Sequence, residues 1–186
     1  MAALETPEVN RGWEAPDFVL QGVDGHTHSL ETARGPKGLV VMFICNHCPF
    51  VKAIAERIER DMSELKTYGI GAIAIMSNDV EKYPDDSFDN MKAFAAKHHF
   101  DFPYVIDETQ AVAEKYGAVC TPDFFGFNAD LELQYRGRLD DSGREPKPDA
   151  SRDLFDAMVQ IAETGKGPDK QFNSIGCSIK WKDEAA

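Results

Sequence analysis

Leu39-Val40-Val41-Met42-Phe43-Ile44-Cys45-Asn46-His47-Cys48-Pro49-Phe50-Val51 is the stretch from which the fold can be read. Leu39 to Ile44 is apolar without alternation, as expected of a strand covered on both faces. From Pro49 to Tyr68 the apolar residues Val51, Ile54, Ile58, Met62 and Leu65 recur at helical spacing with charges between them, and Gly69 stops the pattern. Ile70 to Met76 is a second continuous apolar run of strand length. Strand, helix, strand with so long a crossover predicts a parallel pair joined by a right-handed connection.

Outward from this unit the same reading continues. Asp17 to Leu20 and Thr27 to Leu30 flank Asp24-Gly25, a pair suited to a tight hairpin turn. Downstream we expect a helix near Ser87–His99, a strand at Tyr104–Ile106, a helix near Glu108–Tyr116, and a hairpin from Phe124–Phe127 and Leu131–Arg138. A last helix carries Leu154, Met158 and Ile161, with Asp149 or Ser151 as its cap and Gly165 and Gly167 as its stop. From Pro168 onward little periodicity remains. The expected architecture is a single α/β domain over 1–186, with its core at about 12–165 and a tail at 166–186.

The chain has 186 residues, 42% of them hydrophobic, which fits a globular protein able to build its core without a metal or disulfide staple. Its 32 acidic and 20 basic side chains leave a net charge of −12. That excess repels phosphate backbones and anionic lipid, so neither nucleic acid nor a membrane is an expected partner. The longest apolar run, Gly38 to Ile44, is far short of a membrane span. Met1 to Thr6 shows no basic flank and no apolar segment of a signal peptide, so a cytoplasmic setting is expected.

In a reducing compartment, a lone C-x-x-C is read as redox-active or metal-binding before it is read as structural. Cys45 and Cys48 lie between the buried strand and the helix. Unpaired N–H groups and partial positive charge at a helix start favour a thiolate. His47 between the two cysteines would add to this and tune the thiolate. Pro49 suits the first helical position and places Cys48 at the cap, with Cys45 in the loop before it. Electrostatics alone favour Cys48 as the thiolate, whereas access favours Cys45, expected to be the exposed one. Redox exchange requires at least one sulfur to be reachable from solvent. Downstream, Cys120-Thr121-Pro122 precedes an apolar strand, where a proline is a candidate cis residue.

The sequence resembles the thioredoxin-fold group of alkyl hydroperoxide reductase and thiol-specific antioxidant proteins, in its C-x-x-C-bearing, peroxiredoxin-like branch. The residues that carry the likeness are Ala15-Pro16-Asp17-Phe18-Val19-Leu20, Asp24-Gly25, Ser29-Leu30, Cys45-Asn46-His47-Cys48-Pro49-Phe50-Val51, Thr121-Pro122, Tyr135-Arg136-Gly137-Arg138 and Gly176-Cys177-Ser178-Ile179-Lys180-Trp181. The resemblance implies a thioredoxin-like fold, a central mixed sheet flanked by helices, with an N-terminal hairpin and an inserted strand–helix unit. It also implies a cis Pro122 facing the C-x-x-C, where such folds bind substrate backbone. The chain departs from two patterns of the group. Where peroxiredoxins carry P-x-x-x-T-x-x-C, Val41 and Cys45 hold the proline and threonine positions. Where thioredoxins carry a tryptophan and a buried acid, this chain has Ile44 and Leu39.

The expected function is thiol–disulfide exchange at Cys45 and Cys48 in cell redox homeostasis. Cys45 attacks a protein or small-molecule disulfide, Cys48 resolves the mixed disulfide, and an external thiol reductant restores the pair. Asn46, His47, Thr121 and Pro122 support the site. One alternative is a peroxidase in which Cys48 is oxidised by a hydroperoxide and Cys45 resolves it. Another is a non-catalytic zinc module of Cys45, His47, Cys48 and Cys120. In the redox readings no metal or organic cofactor is needed, and no nucleotide-binding glycine motif is present. Cys120 is a candidate third thiol, with Cys177 as its possible partner. Arg138 or Arg136 could stabilise a thiolate, although a solvated strand edge is the simpler reading of both. His26 and His28 alternate onto one strand face as weak metal candidates. Asp85-Asp86 and Asp140-Asp141 read as solvated loop charge, and His98-His99 as a structural helix end.

Overall fold

The computed structural model describes residues 3–183. Met1-Ala2 and the last three residues of the expected tail lie outside them. The elements are β1 (Ala3–Glu5), β2 (Val19–Gly22), β3 (Thr27–Ser29), α1 (Leu30–Ala33), β4 (Gly38–Phe43), α2 (Pro49–Lys52), α3 (Ala55–Lys66), β5 (Ile70–Met76), α4 (Phe88–Lys97), β6 (Tyr104–Ile106), α5 (Ala111–Tyr116), β7 (Cys120–Thr121), β8 (Asp123–Asn128), β9 (Leu133–Gly137), α6 (Asp153–Thr164) and β10 (Ile175–Ser178).

The central sheet is mixed. Its strands run β3-β2-β6-β5 and β4-β8-β9, joined where the Ile44 N–H donates to the Ile75 carbonyl at 3.0 Å. β5 and β6 are parallel, while β4 and β8 pair antiparallel with Val41 opposite Phe125. The unbroken apolar run of β4 has a physical reason. Val40, Met42 and Ile44 pack with Ile58, Met62, Leu154 and Met158 of α3 and α6, whereas Leu39, Val41 and Phe43 pack with Val112, Ala113 and Tyr116 of α5. Both faces are covered, so no polar residue is tolerated on either. Each such aliphatic side chain contributes roughly 1.5–3 kcal/mol on burial.

Three readings of the sequence need correction. The helix expected over Pro49–Tyr68 is two helices, because at Ile54 (φ −114°) the backbone tightens and the Ile54 N–H bonds the Val51 carbonyl. The last helix is capped by Arg152, not by Asp149 or Ser151. Ser151 donates its N–H to Asp141 at 3.0 Å, and the Arg152 guanidinium reaches across to Asp61 at 2.6 Å on α3. The largest difference lies in the tail. Instead of trailing past the core, it returns as β10 between β1 and β7 in a second sheet, with Cys177 opposite both Ala3 and Thr121.

That return is pinned on both sides. Before β10, Ser174 exchanges hydrogen bonds with Thr6 and donates its hydroxyl to the Pro122 carbonyl at 2.9 Å. After it, the Lys180 N–H donates to Asn78 Oδ1 at 2.9 Å, and the Lys180 carbonyl accepts from Asp79 N–H and the Gln110 amide. Gly176 permits the close seating, since a Cβ there would lie 2.0 Å from the Thr121 carbonyl oxygen. No other residue type fits without lifting the strand.

Candidate active site

Cys45 leaves β4 through Ile44, and Cys48 caps α2 with Pro49 at the first helical position. Proline needs no N–H partner there and holds Cys48 in an extended conformation, φ −67° and ψ 124°. The Thr121–Pro122 peptide is cis, as the resemblance implied. Thr121 meets both cysteines. Its hydroxyl lies 3.5 Å from Cys45 Sγ, and its carbonyl accepts from the Cys48 thiol at 3.3 Å.

The two sulfurs lie against each other, and their environments differ in sign. Cys48 is pulled below the ordinary thiol range, chiefly by the Cys45 thiol donating toward it. The Cys177 thiol, the Thr121 hydroxyl and the Val51 N–H assist, while burial opposes. Cys45 is pushed up, chiefly because its proton is held by Cys48, then by burial and the Asp86 carboxylate. Within the pair the anion is favoured on Cys48, which on ionising gives up its hydrogen bond to the Thr121 carbonyl. A depressed folded-state pKa stabilises the fold fully above the unfolded thiol pKa, and that contribution is lost as pH falls through the folded value. Ultraviolet thiolate absorbance should thus survive at neutral pH and vanish on acidification. In Cys45→Ala, which removes the largest lowering influence, it should vanish at higher pH than in the unaltered protein. An unmoved titration would show that Cys48 is not the thiolate.

Access differs from expectation. Cys45 is 1% exposed and Cys48 0%, so Cys45 is not the open member of the pair. β10, seated on β7, brings Cys177 against Cys48, and direct attack on Cys48 by an outside disulfide is blocked while it stays there. The access argument for Cys45 as nucleophile falls, leaving electrostatics, which favour Cys48.

A buried acid stands beside Cys45, though not where the chain's likeness to thioredoxins would put it. Asp86, in the 3-10 turn Pro84–Asp86, is fully buried rather than solvated. It accepts from the Asn46 N–H at 2.8 Å, the Asn78 amide at 2.9 Å and His47 Nδ1 at 2.6 Å. His47 stacks on Tyr83 with centroids 5.6 Å apart, and its Nε2 is buried without a hydrogen-bond partner. Asn46 is held by the Tyr104 hydroxyl at 2.8 Å and by the Asp85 carbonyl at 3.1 Å. Tyr104, Asn78 and Asp86 carried no sequence signal beyond being polar groups in or beside strands and turns.

Ligand atoms of Cys45, His47 and Asp86 lie within 4.8 Å of one another. They do not fit a metal well. Both Asp86 oxygens already accept hydrogen bonds, and a cation would displace up to three donors. Cys120, a proposed zinc ligand, is not in the group. It sits opposite Ser178 rather than Cys177, so its side chain leaves the other face of β7 and its sulfur approaches the Pro122 carbonyl. Burial, and then Asp123, push its thiol far up. The expected Cys120–Cys177 partnership is therefore not what the fold assembles. The third sulfur beside the C-x-x-C is Cys177, and all four cysteines are free thiols.

The remaining candidates stand apart from the sulfurs. Arg138 pairs with Asp153 at 2.5 Å and covers the Phe172 ring; it lines a groove of about 250 Å³ with Phe50, Pro122 and Ile175. Arg136 is not on a solvated edge. It is 7% exposed, bonded to Asp123 Oδ1 and Oδ2 at 3.2 and 2.8 Å, and stacked on Phe125. Because Asp123 follows Pro122, this pair anchors the strand start beneath the site. Asp140 is also buried, holding Arg57 at 2.7 Å. His28 pairs with Asp24 at 2.9 Å, and His26 lies in the turn before β3. His98 and His99 close α4, as expected.

The AhpC/TSA family matches residues 12–136. No curated protein matches the chain. An uncharacterised conserved protein from Geobacillus kaustophilus is 44% identical, with 100% of this chain and 99% of that one covered and a TM-score of 0.92. A hypothetical protein from Sinorhizobium meliloti is 34% identical over 96% of this chain and 98% of that one, with a TM-score of 0.88. A secreted disulfide oxidoreductase from Mycobacterium tuberculosis is 17% identical over 77% of this chain and 95% of that one, with a TM-score of 0.58, a likeness of fold alone. With a mixed sheet flanked by helices and a cis-proline against a C-x-x-C, the chain has a thioredoxin-like fold and belongs to the AhpC/TSA family of thiol redox proteins.

Proposed function

We propose that the protein is a thiol–disulfide oxidoreductase that cycles Cys45 and Cys48 between dithiol and disulfide. The observation that supports this most is the asymmetric sulfur pair against Thr121 and cis-Pro122, with Cys48 favoured as thiolate and Cys45 holding the shared proton. Both sulfurs are sealed in the seated fold, so exchange requires β10 to lift from β7 first; the Cys48 thiolate then attacks a substrate disulfide, forming a mixed disulfide and releasing one thiolate. Cys45 then loses its proton toward the neighbouring His47–Asp86 pair and attacks Cys48. The second substrate thiolate leaves and the Cys45–Cys48 bond remains. This reverses the order of attack expected from access. An external thiol reductant regenerates the dithiol. The reading includes a cytoplasmic setting, where such thiols are abundant, and excludes nucleic acid and membrane on the ground of the −12 charge.

Two assays test it. Equilibration in glutathione buffers, with the product mapped by peptide mass, should yield a reversible Cys45–Cys48 disulfide. Insulin reduction should require both cysteines. Trapping a sulfenic acid on Cys48 of Cys45→Ser with hydrogen peroxide, in a protein without disulfide reductase activity, would replace the reading with the peroxidase one. Stoichiometric zinc after gentle purification, released by a thiol reagent, would replace it with the metal module.

A further inference from the structure

Three thiols, not two, converge at the start of α2. Cys177 sits in the same buried cluster as Cys45 and Cys48, with its sulfur beside Cys48 and the Phe50 N–H. Its placement follows from strand register. Cys177 is opposite Thr121, so the two side chains share a face, and Thr121 is the residue whose hydroxyl and carbonyl touch Cys45 and Cys48. β10 thus adds to the short strand β7 as an extended peptide adds to a sheet edge, with a cysteine delivered to the sulfurs. The seating is specific, since Gly176 alone allows the approach and Ser174 and Lys180 pin either side. At 5% exposed, Cys177 is also the least deeply buried residue of the three, and Ile175, two positions before it on the same strand, is open to solvent.

We infer that Cys177 is the third redox thiol of this site, a tethered partner that exchanges with the Cys45–Cys48 disulfide by attacking Cys48. The inference rests on the dithiol reading above. In the step, a Cys177–Cys48 bond forms and the Cys45–Cys48 bond breaks. The proton of Cys177 passes to the Cys45 sulfur, and no net oxidation or reduction occurs. Burial first, then the Cys48 thiolate, push the Cys177 thiol up to about 11 in the reduced site. The second influence disappears once Cys48 is in a disulfide, while the Lys180 ammonium and the Phe50 N–H still favour the thiolate. The exchange carries the reducible bond from the two most deeply buried cysteines onto β10, where a small external thiol can attack Cys177 as the strand lifts.

The test uses the full chain with diamide as oxidant and glutathione as reductant. Cys45→Ser treated with diamide should form an intramolecular Cys48–Cys177 disulfide, mapped by non-reducing peptide mass. Cys45→Ser combined with Cys120→Ser should still form it, and Cys45→Ser combined with Cys177→Ser should lose it. In the otherwise unaltered protein, Cys177→Ser should slow reduction of the Cys45–Cys48 bond by glutathione about tenfold. A Cys48–Cys120 bond, a Cys48–glutathione adduct with Cys177 free, or an unchanged reduction rate would each overturn the inference. The two readings fail separately. If the unaltered protein forms no Cys45–Cys48 bond, the dithiol reading falls whatever Cys177 does. If that bond forms but Cys45→Ser leaves Cys177 free, only the third thiol falls.

Discussion

Cys48→Ser should lower insulin-disulfide reduction by at least about a thousandfold, the largest single-residue effect expected in this protein. The reason is the division of labour between the two sulfurs. Cys48 is the sulfur whose anion is favoured, by the Cys45 thiol first and by the Cys177 thiol, Thr121 hydroxyl and Val51 N–H after it. A serine hydroxyl at this position stays protonated. Cys45 cannot substitute, because burial and the Asp86 carboxylate both oppose its ionisation. The fold should survive, since serine can donate to the Thr121 carbonyl as the protonated Cys48 thiol does at 3.3 Å. Far-ultraviolet circular dichroism and the thermal midpoint check this. Cys45→Ser combined with Cys177→Ser should fail differently, losing turnover but retaining the ability to trap substrate as a stable mixed disulfide on Cys48. Activity retained in Cys48→Ser, or mixed disulfides trapped on Cys45 alone, would reverse the assignment.

The second large effect concerns stability. Arg136→Ala should destabilise the protein by about 3–5 kcal/mol, because it leaves Asp123 fully buried without its two guanidinium bonds. For a chain of this length that corresponds to a fall in thermal midpoint of about 10 °C. The pH dependence identifies the cause. Burial already raises the Asp123 carboxyl, with Arg136 pulling the other way, and removing the arginine raises it further. A raised folded-state pKa makes the protonated form the tolerated one, so the deficit of the variant should shrink as pH falls through the carboxylate range. A deficit that is the same at neutral and mildly acidic pH would mean lost packing on Phe125, not an uncompensated charge. Because Asp123 directly follows cis-Pro122, the same variant should also weaken redox activity without touching a sulfur.

Much of the site was legible because its parts are adjacent in the chain. Strand β4, the C-x-x-C and Pro49 form one continuous segment, and each step has a local cause: a doubly covered apolar strand, then an extended cysteine held before a proline. Thr121-Pro122 was legible through its likeness to a family pattern. Asp86 was not. Side by side with Asp85 in a polar stretch, it has the composition of solvated loop charge, and only the folding of the 84–86 turn against Asn46, His47 and Asn78 buries it. Arg136 misled in the same way, since a basic residue near a strand end reads as an edge until a buried aspartate on the neighbouring strand claims it. The tail misled most. Its few apolar residues show no period because β10 is four residues long and straddles buried and exposed positions.

The order of residues along the chain by itself determined the alternation of strands and helices, the sulfur pair at a strand–helix junction and the proline, Pro49, that opens the helix after it. All of these depend on neighbours a few positions apart, where backbone preference and apolar periodicity act. Tertiary structure alone decided which sulfur is favoured as the anion, which acid stands beside the pair, and whether solvent reaches it. Those depend on groups dozens of residues distant, Asp86, Thr121 and Cys177, whose charges and hydrogen bonds reach Cys45 and Cys48 only when β7 and β10 close over the start of α2.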